Sequence, residues 1–208
     1  MSKKAKGLSY IIGLLFVFQL CLFGLKRLIF LAVDRTNFTD SIATMFAMSI
    51  LTILLVVYAK RRKIALSVFP GDFNKFYIIG TCVGVALLVA APSNYADGFQ
   101  AIALLFYGSV VTPIYEELIF RGYVWNRLNT LFKREWKTYA VTTVLFGLWH
   151  IGALDTVSFR VATGLTNIMI WKVIIGLDYG IVLGALRLKT KNSYSTMLLH
   201  GVMNIFGR

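Results

Sequence analysis

Apolar residues fall in long unbroken blocks, neither alternating nor recurring on one helical face. Set against the roughly 17 to 25 residues that cross a bilayer's hydrocarbon as a helix, the chain holds about seven candidate spans. These are 8–33, 41–59, 76–92, 99–115 with a polar continuation, 138–154, 163–188 and 194–206. The last is too short to cross alone, so it is expected to be tucked among other helices or to extend back to Lys191. Lys3, Lys4 and Lys6 precede the first block as in a signal peptide, but no small-x-small cleavage site follows before Lys26 and Arg27, which predicts a retained helix. Turn chemistry brackets the third block at Phe69-Pro70-Gly71-Asp72 and Pro92-Ser93-Asn94. With short loops and no repeat or linker, the pattern predicts an all-α, polytopic membrane helix bundle with about seven spans.

Composition strengthens this reading. Of 208 residues, 58% are hydrophobic and only 15% charged, against about 25% charged in soluble domains, and such hydrophobicity excludes a disordered chain. The net charge of +13, from 22 Lys and Arg against 9 Asp and Glu, is explained by placement. With the N-terminus cytoplasmic, sixteen of those 22 fall in cytoplasmic segments: Lys3, Lys4, Lys6; Lys60, Arg61, Arg62, Lys63, Lys75; Arg121, Arg127, Lys133, Arg134, Lys137; Arg187, Lys189, Lys191. Arg35, Arg160 and Arg208 fall on the far side with Asp34, Asp40, Asp97 and Asp155, leaving Lys26, Arg27 and Lys172 within spans. This is the positive-inside bias of membrane proteins. It makes the lipid bilayer the partner and a nucleic acid unnecessary. HExxH, GxGxxG and a phosphate-binding glycine loop are all missing, so no nucleotide is implied. Cys21 and Cys82, each inside an apolar block, imply no disulfide.

The informative residues are the polar ones inside apolar blocks, since ionisable groups there are costly. They are Glu116, Glu117, His150, Asp178, His200 and Asn204; the two histidines are the only ones in the chain. Glu117 and Arg121 are i,i+4 neighbours in the favourable order for an ion pair, while Glu116 is turned about 100° away toward another helix. That suits Glu116 to general-base work. Pro113 is expected to kink or restart its span with Thr112 as cap. Phe146 and His150 share one face, as do His200 and Asn204. Counted from the flanking basic residues at 1.5 Å per residue, Glu116, His150 and His200 lie at similar depth. Gly176, Gly180 and Gly184 form a smooth stripe for close helix packing. Asp178 is off that stripe, open to contact with the site, with Lys172 or with neighbouring backbone.

Glu116-Glu117-x-x-x-Arg121, Phe146-x-x-x-His150 and His200-x-x-x-Asn204, in order on separate apolar segments, resemble the CAAX protease and bacteriocin-processing (Abi) family of intramembrane proteases. The resemblance covers about residues 99–206 and divides the chain into N-terminal helices of unassigned role (1–98) and a catalytic helical core (99–208). It implies an endopeptidase acting on a membrane-associated peptide or protein, with the site reached from the cytoplasmic side of a bacterial plasma membrane. By position, Glu116 corresponds to the water-activating carboxylate, assisted by His150. His200 and Asn204 correspond to the oxyanion donors, Glu117 and Arg121 to a structural ion pair, and Phe146 to a packing group. The motif leaves two mechanisms open: a glutamate-activated water, or a divalent metal such as zinc held among Glu116, His150 and His200. Eukaryotic relatives remove the C-terminal tripeptide of prenylated proteins; the short chain is more similar to bacterial members linked to peptide maturation or bacteriocin self-immunity. The competing readings are a non-catalytic immunity or regulatory protein on the same fold, and an ion transporter, which the lack of repeated halves disfavours.

Overall fold

The computed structural model describes residues 2–90 and 98–206, and these form helices without a strand: α1 (Lys3–Ile29), α2 (Asn37–Arg61), α3 (Lys75–Ala90), α4 (Gly98–Phe132), α5 (Glu135–Arg160), α6 (Leu165–Thr190) and α7 (Ser193–Phe206). The all-α bundle is as expected. Among the described residues, α1, α2, α4, α5 and α6 are long and apolar enough to cross a membrane, and α3 and α7 comprise 16 and 14 residues. At 1.5 Å per residue the described parts of those two reach about 24 and 21 Å, against roughly 30 Å of hydrocarbon. Pro92-Ser93-Asn94, Asp97 and Arg208 lie outside the described residues. Large apolar side chains such as Phe16, Leu20, Ile53, Trp171 and Val182 are exposed around the bundle, as a lipid-facing surface requires.

α7 is tucked in, and the loop before α3 holds its start. A helix leaves its first N–H groups without internal partners. Here Ser193 and Tyr194 donate theirs to the carbonyls of Ser67 and Val68, both at 2.8 Å, and Asn192 accepts from Ser195 N–H at 3.0 Å. The helix therefore begins at Ser193; Lys191, in a left-handed conformation at φ 58°, ends α6 instead.

α4 runs through the centre, packed by Ile11 and Leu15 of α1, Met48 and Leu51 of α2, and Phe146 of α5. It is continuous, so Pro113 neither breaks nor restarts it. Two widened π-turns, Tyr107–Val111 and Leu118–Val124, interrupt its α geometry. Thr112 is not a cap; its hydroxyl donates to the Tyr107 carbonyl at 3.0 Å. In the widened register the N–H missing at Pro113 would have served the carbonyl of Gly108. Asn204 of α7 supplies that hydrogen bond instead, donating from Nδ2 at 2.7 Å. Gly201 lets the helices meet there, since a Cβ on it would fall 2.5 Å from the Ser109 carbonyl oxygen.

The glycine stripe of α6 packs against α5: Cβ atoms at Gly176 and Gly184 would fall 2.5 Å from His150 Nδ1 and 2.6 Å from the Tyr139 ring. Two of the sixteen basic residues assigned to cytoplasmic segments need correction. Arg121 and Arg187 are buried within the bundle, and Arg187 Nε donates to the Arg121 carbonyl at 3.0 Å. They are structural charges, and the bias rests on the other fourteen.

Candidate active site

Glu116, His150 and His200 reach one cavity of about 410 Å³ from α4, α5 and α7, and Asn204 lies on the same wall. Glu116 is 6% exposed and His200 3%. Glu116 Oε1 accepts from the indole of Trp149 at 3.3 Å, and its Oε2 lies 3.9 Å from His200 Nε2. His150 donates from Nδ1 to the Phe146 carbonyl at 2.8 Å. A carbonyl can only accept, so this bond places the proton on Nδ1 and leaves Nε2 as the ring's acceptor. No hydrogen bond joins His150 to Glu116; they share the cavity without touching.

Glu117 and Arg121 form the expected i,i+4 pair, Arg121 Nη1 to Glu117 Oε1 at 3.0 Å, with both residues fully buried. The pair has a third member that sequence spacing does not show. His200 Nδ1 lies 3.0 Å from the same Glu117 oxygen. The adjacent acids thus face the two nitrogens of one imidazole, Glu117 at Nδ1 and Glu116 toward Nε2. Phe146 joins the groups: Arg121 lies over its ring at 4.2 Å, and its edge contacts reach Phe120, His150 and His200 at centroid distances of 5.0, 5.1 and 6.1 Å.

Other contributors were not singled out from sequence. Gln19 of α1 donates to the Trp149 carbonyl at 3.0 Å; it is a polar exception in an apolar block, a signal that was present. Trp149 is adjacent to His150, and Tyr179, whose ring meets His200 edge-on at 5.3 Å, follows Gly176 by three positions. Asp178 is exposed on the outer side of α6 and pairs with neither Lys172 nor the site among the described residues.

The cavity also reaches Lys26, Asp155, Thr156 and Arg160, at the end of the bundle where α1 leads into α2. Below the site, toward the opposite end, Phe120, Arg121, Tyr123 and Leu128 are fully buried and seal it. The end it reaches is the one that the basic residues assign to the side away from the cytoplasm, so a cytoplasmic N-terminus and cytoplasmic access to the site do not go together. Among the described residues no three His, Cys, Asp or Glu side chains are grouped to hold a metal ion. Glu117 and His200 Nδ1 are committed to each other and His150 Nδ1 to a carbonyl, which leaves Glu116 and the two Nε2 atoms as the remaining donors at the cavity.

No curated protein and no solved structure matches the chain. A family model described as type II CAAX prenyl endopeptidase Rce1-like matches residues 98–206, the stretch from the start of α4 to the end of α7 that carries every group converging on the cavity except those of α1 and α2. The chain belongs to the Rce1-like family of type II CAAX prenyl endopeptidases, membrane proteins built to cut peptide bonds.

Proposed function

We propose that the protein is an intramembrane endopeptidase in which Glu116 activates water against a peptide carbonyl. The observation that carries this is the approach of Glu116 and His200 to 3.9 Å inside a cavity that His150 also lines. Water in the cavity donates one hydrogen bond to Glu116 and another to the bare Nε2 of His150. Glu116 takes its proton as the oxygen attacks the carbonyl carbon, and returns that proton to the amine nitrogen as the C–N bond breaks, the ordinary cycle of a general base. Glu117 holds Nδ1 of His200 and turns Nε2 toward Glu116 and the cavity, so that a proton carried on Nε2 can donate to the carbonyl oxygen as it becomes an oxyanion.

Asn204 is a positioning residue in this reading, because one of its N–H groups is occupied by Gly108. Water enters from the α1–α2 end, since the other end is sealed. Replacing Thr156 with Cys and labelling intact cells with a membrane-impermeant maleimide assigns that end to one side of the membrane. The substrate class is a membrane-associated peptide, with roles in peptide maturation or bacteriocin self-immunity as the family resemblance suggests. Comparative peptidomics of cells carrying wild-type or Glu116→Gln protein tests the activity. Glu116→Gln should lower cleavage by about a thousandfold and leave the thermal midpoint nearly unchanged. Peptide profiles that do not differ would rule the mechanism out.

A further inference from the structure

One charge in the cavity is not used by the proposed chemistry. Lys172 of α6 lines it together with Ile175 and Tyr179. The other lining cations have carboxylates: Lys26 lies 3.1 Å from Asp40 and 3.7 Å from Asp155, and Arg160 lies 3.1 Å from Asp40. Lys172 has neither an ion pair nor a hydrogen bond among the described residues; only Glu116, across the cavity, attracts it. An ammonium placed out of bulk water without a close carboxylate is an unfilled site for an anion. The mouth beyond it adds to the attraction, since Lys26, Arg27, Arg35 and Arg160 share two paired acids, Asp40 and Asp155, among the described residues.

A peptide's own anions are carboxylates. Position then matters: from Lys172 to Tyr179 is seven residues, about 10 Å along the helix, and Tyr179 packs on His200. The axial separation of these two positions is about that of three extended residues. We propose that Lys172 is a specificity-determining residue that receives a carboxylate of the peptide substrate between the cavity mouth and the bond to be cut. This rests on the peptidase reading above.

The test measures binding apart from cleavage. Full-length protein carrying Glu116→Gln, in detergent micelles, is titrated with three fluorescent peptides. These are farnesylated Cys-Val-Ile-Met as the free acid, the same peptide as its carboxamide, and farnesylated Cys-Val-Ile-Glu as its carboxamide. The free acid should bind about ten- to a hundredfold more tightly than its carboxamide, the range of a charged hydrogen bond. Adding Lys172→Gln should bring the ratio near one, and Lys172→Arg should keep it. Tight binding of the glutamyl carboxamide assigns the site to a side-chain carboxylate, and weak binding assigns it to the chain terminus. Equal binding of acid and carboxamide, a ratio that survives Lys172→Gln, or no binding of any peptide overturns the proposal. If Lys172 served only as a counter-charge to Glu116, then with Glu116 restored Lys172→Gln would shift the pH profile of cleavage equally for acid and carboxamide. Peptides that bind to wild-type protein and are not cut would count against the peptidase reading and leave the carboxylate site standing.

Discussion

Two clusters of charge lie at opposite ends of the cavity and are built in opposite ways. At the inner end, one Glu117 oxygen serves both Arg121 and His200, while its other oxygen and Arg121 Nε have no partner. At the mouth, Asp40 alone is met by Lys26, Arg35 and Arg160, and Asp155 by Lys26, Arg27 and Arg35. Arg35, between helices, holds its proton more tightly than usual: burial opposes the charge, but hydrogen bonds to Asp155 and Asp40 outweigh it. The mouth thus satisfies its charges generously and ties α1, α2 and α5 together. The inner cluster leaves buried polar atoms bare, which native cores rarely do. A cluster optimised for holding helices would resemble the mouth; the inner one has kept its carboxylate pointed at an imidazole.

The comparison is broken most severely at Glu117. Glu117→Leu leaves Arg121 buried and unpaired, and should cost about 3–5 kcal/mol, read as a large loss of thermal midpoint or of folded yield. Adding Arg121→Met should restore the fold without restoring cleavage, because His200 Nδ1 still lacks its acceptor. Recovery of both together would make the inner cluster purely structural. Asp40→Asn at the mouth should cost about 2 kcal/mol, since Lys26 and Arg35 keep Asp155 and Arg160 keeps the Ser41 hydroxyl. Cleavage per folded molecule should stay within about twofold; a much larger loss would mean that the mouth also shapes the chemistry.

A finer cut separates support from catalysis at Asn204. Asn204→Leu should cost about 1 kcal/mol for the unpaired Gly108 carbonyl, and Pro113→Ala, which restores a backbone N–H, should recover that stability and most of the cleavage. Stability recovered without cleavage would return Asn204 to the oxyanion. The smallest effect is expected from chelation: no three ligating side chains are grouped among the described residues, so cleavage by purified protein should be unchanged by EDTA. Loss of activity reversed by zinc would require the carboxylates to rearrange around an ion.

Much of this was legible in the sequence, for physical reasons. Apolar blocks must become helices in lipid, and the cost of burying charge makes Glu116, His150 and His200 conspicuous. The Glu117–Arg121 pair follows from helical spacing alone. The Glu117–His200 contact does not, because it joins residues 83 positions apart and depends on how α4 is rotated. The two π-turns alter that rotation, and nothing in residue spacing announces them. The same holds for the bond from Asn204 to Gly108 and for the end of the bundle that the cavity reaches. Gln19 is different: its polarity was visible, but its partner is a backbone carbonyl on α5, which no side-chain pattern reveals.

The glycine stripe of α6 has a mechanical consequence. With Cβ atoms absent at Gly176, Gly180 and Gly184, α5 and α6 touch backbone to side chain with no slack, and Arg187 bolts α6 to the centre of α4 at the sealed end. The two helices are thereby joined as one unit, anchored to α4 at that bond. α5 meets α1 and α2 differently, through the polar contacts Lys26–Thr156 and the Asp40 and Asp155 pairs. A change in the width of the cavity mouth must therefore come from those polar contacts and not from the α5–α6 packing.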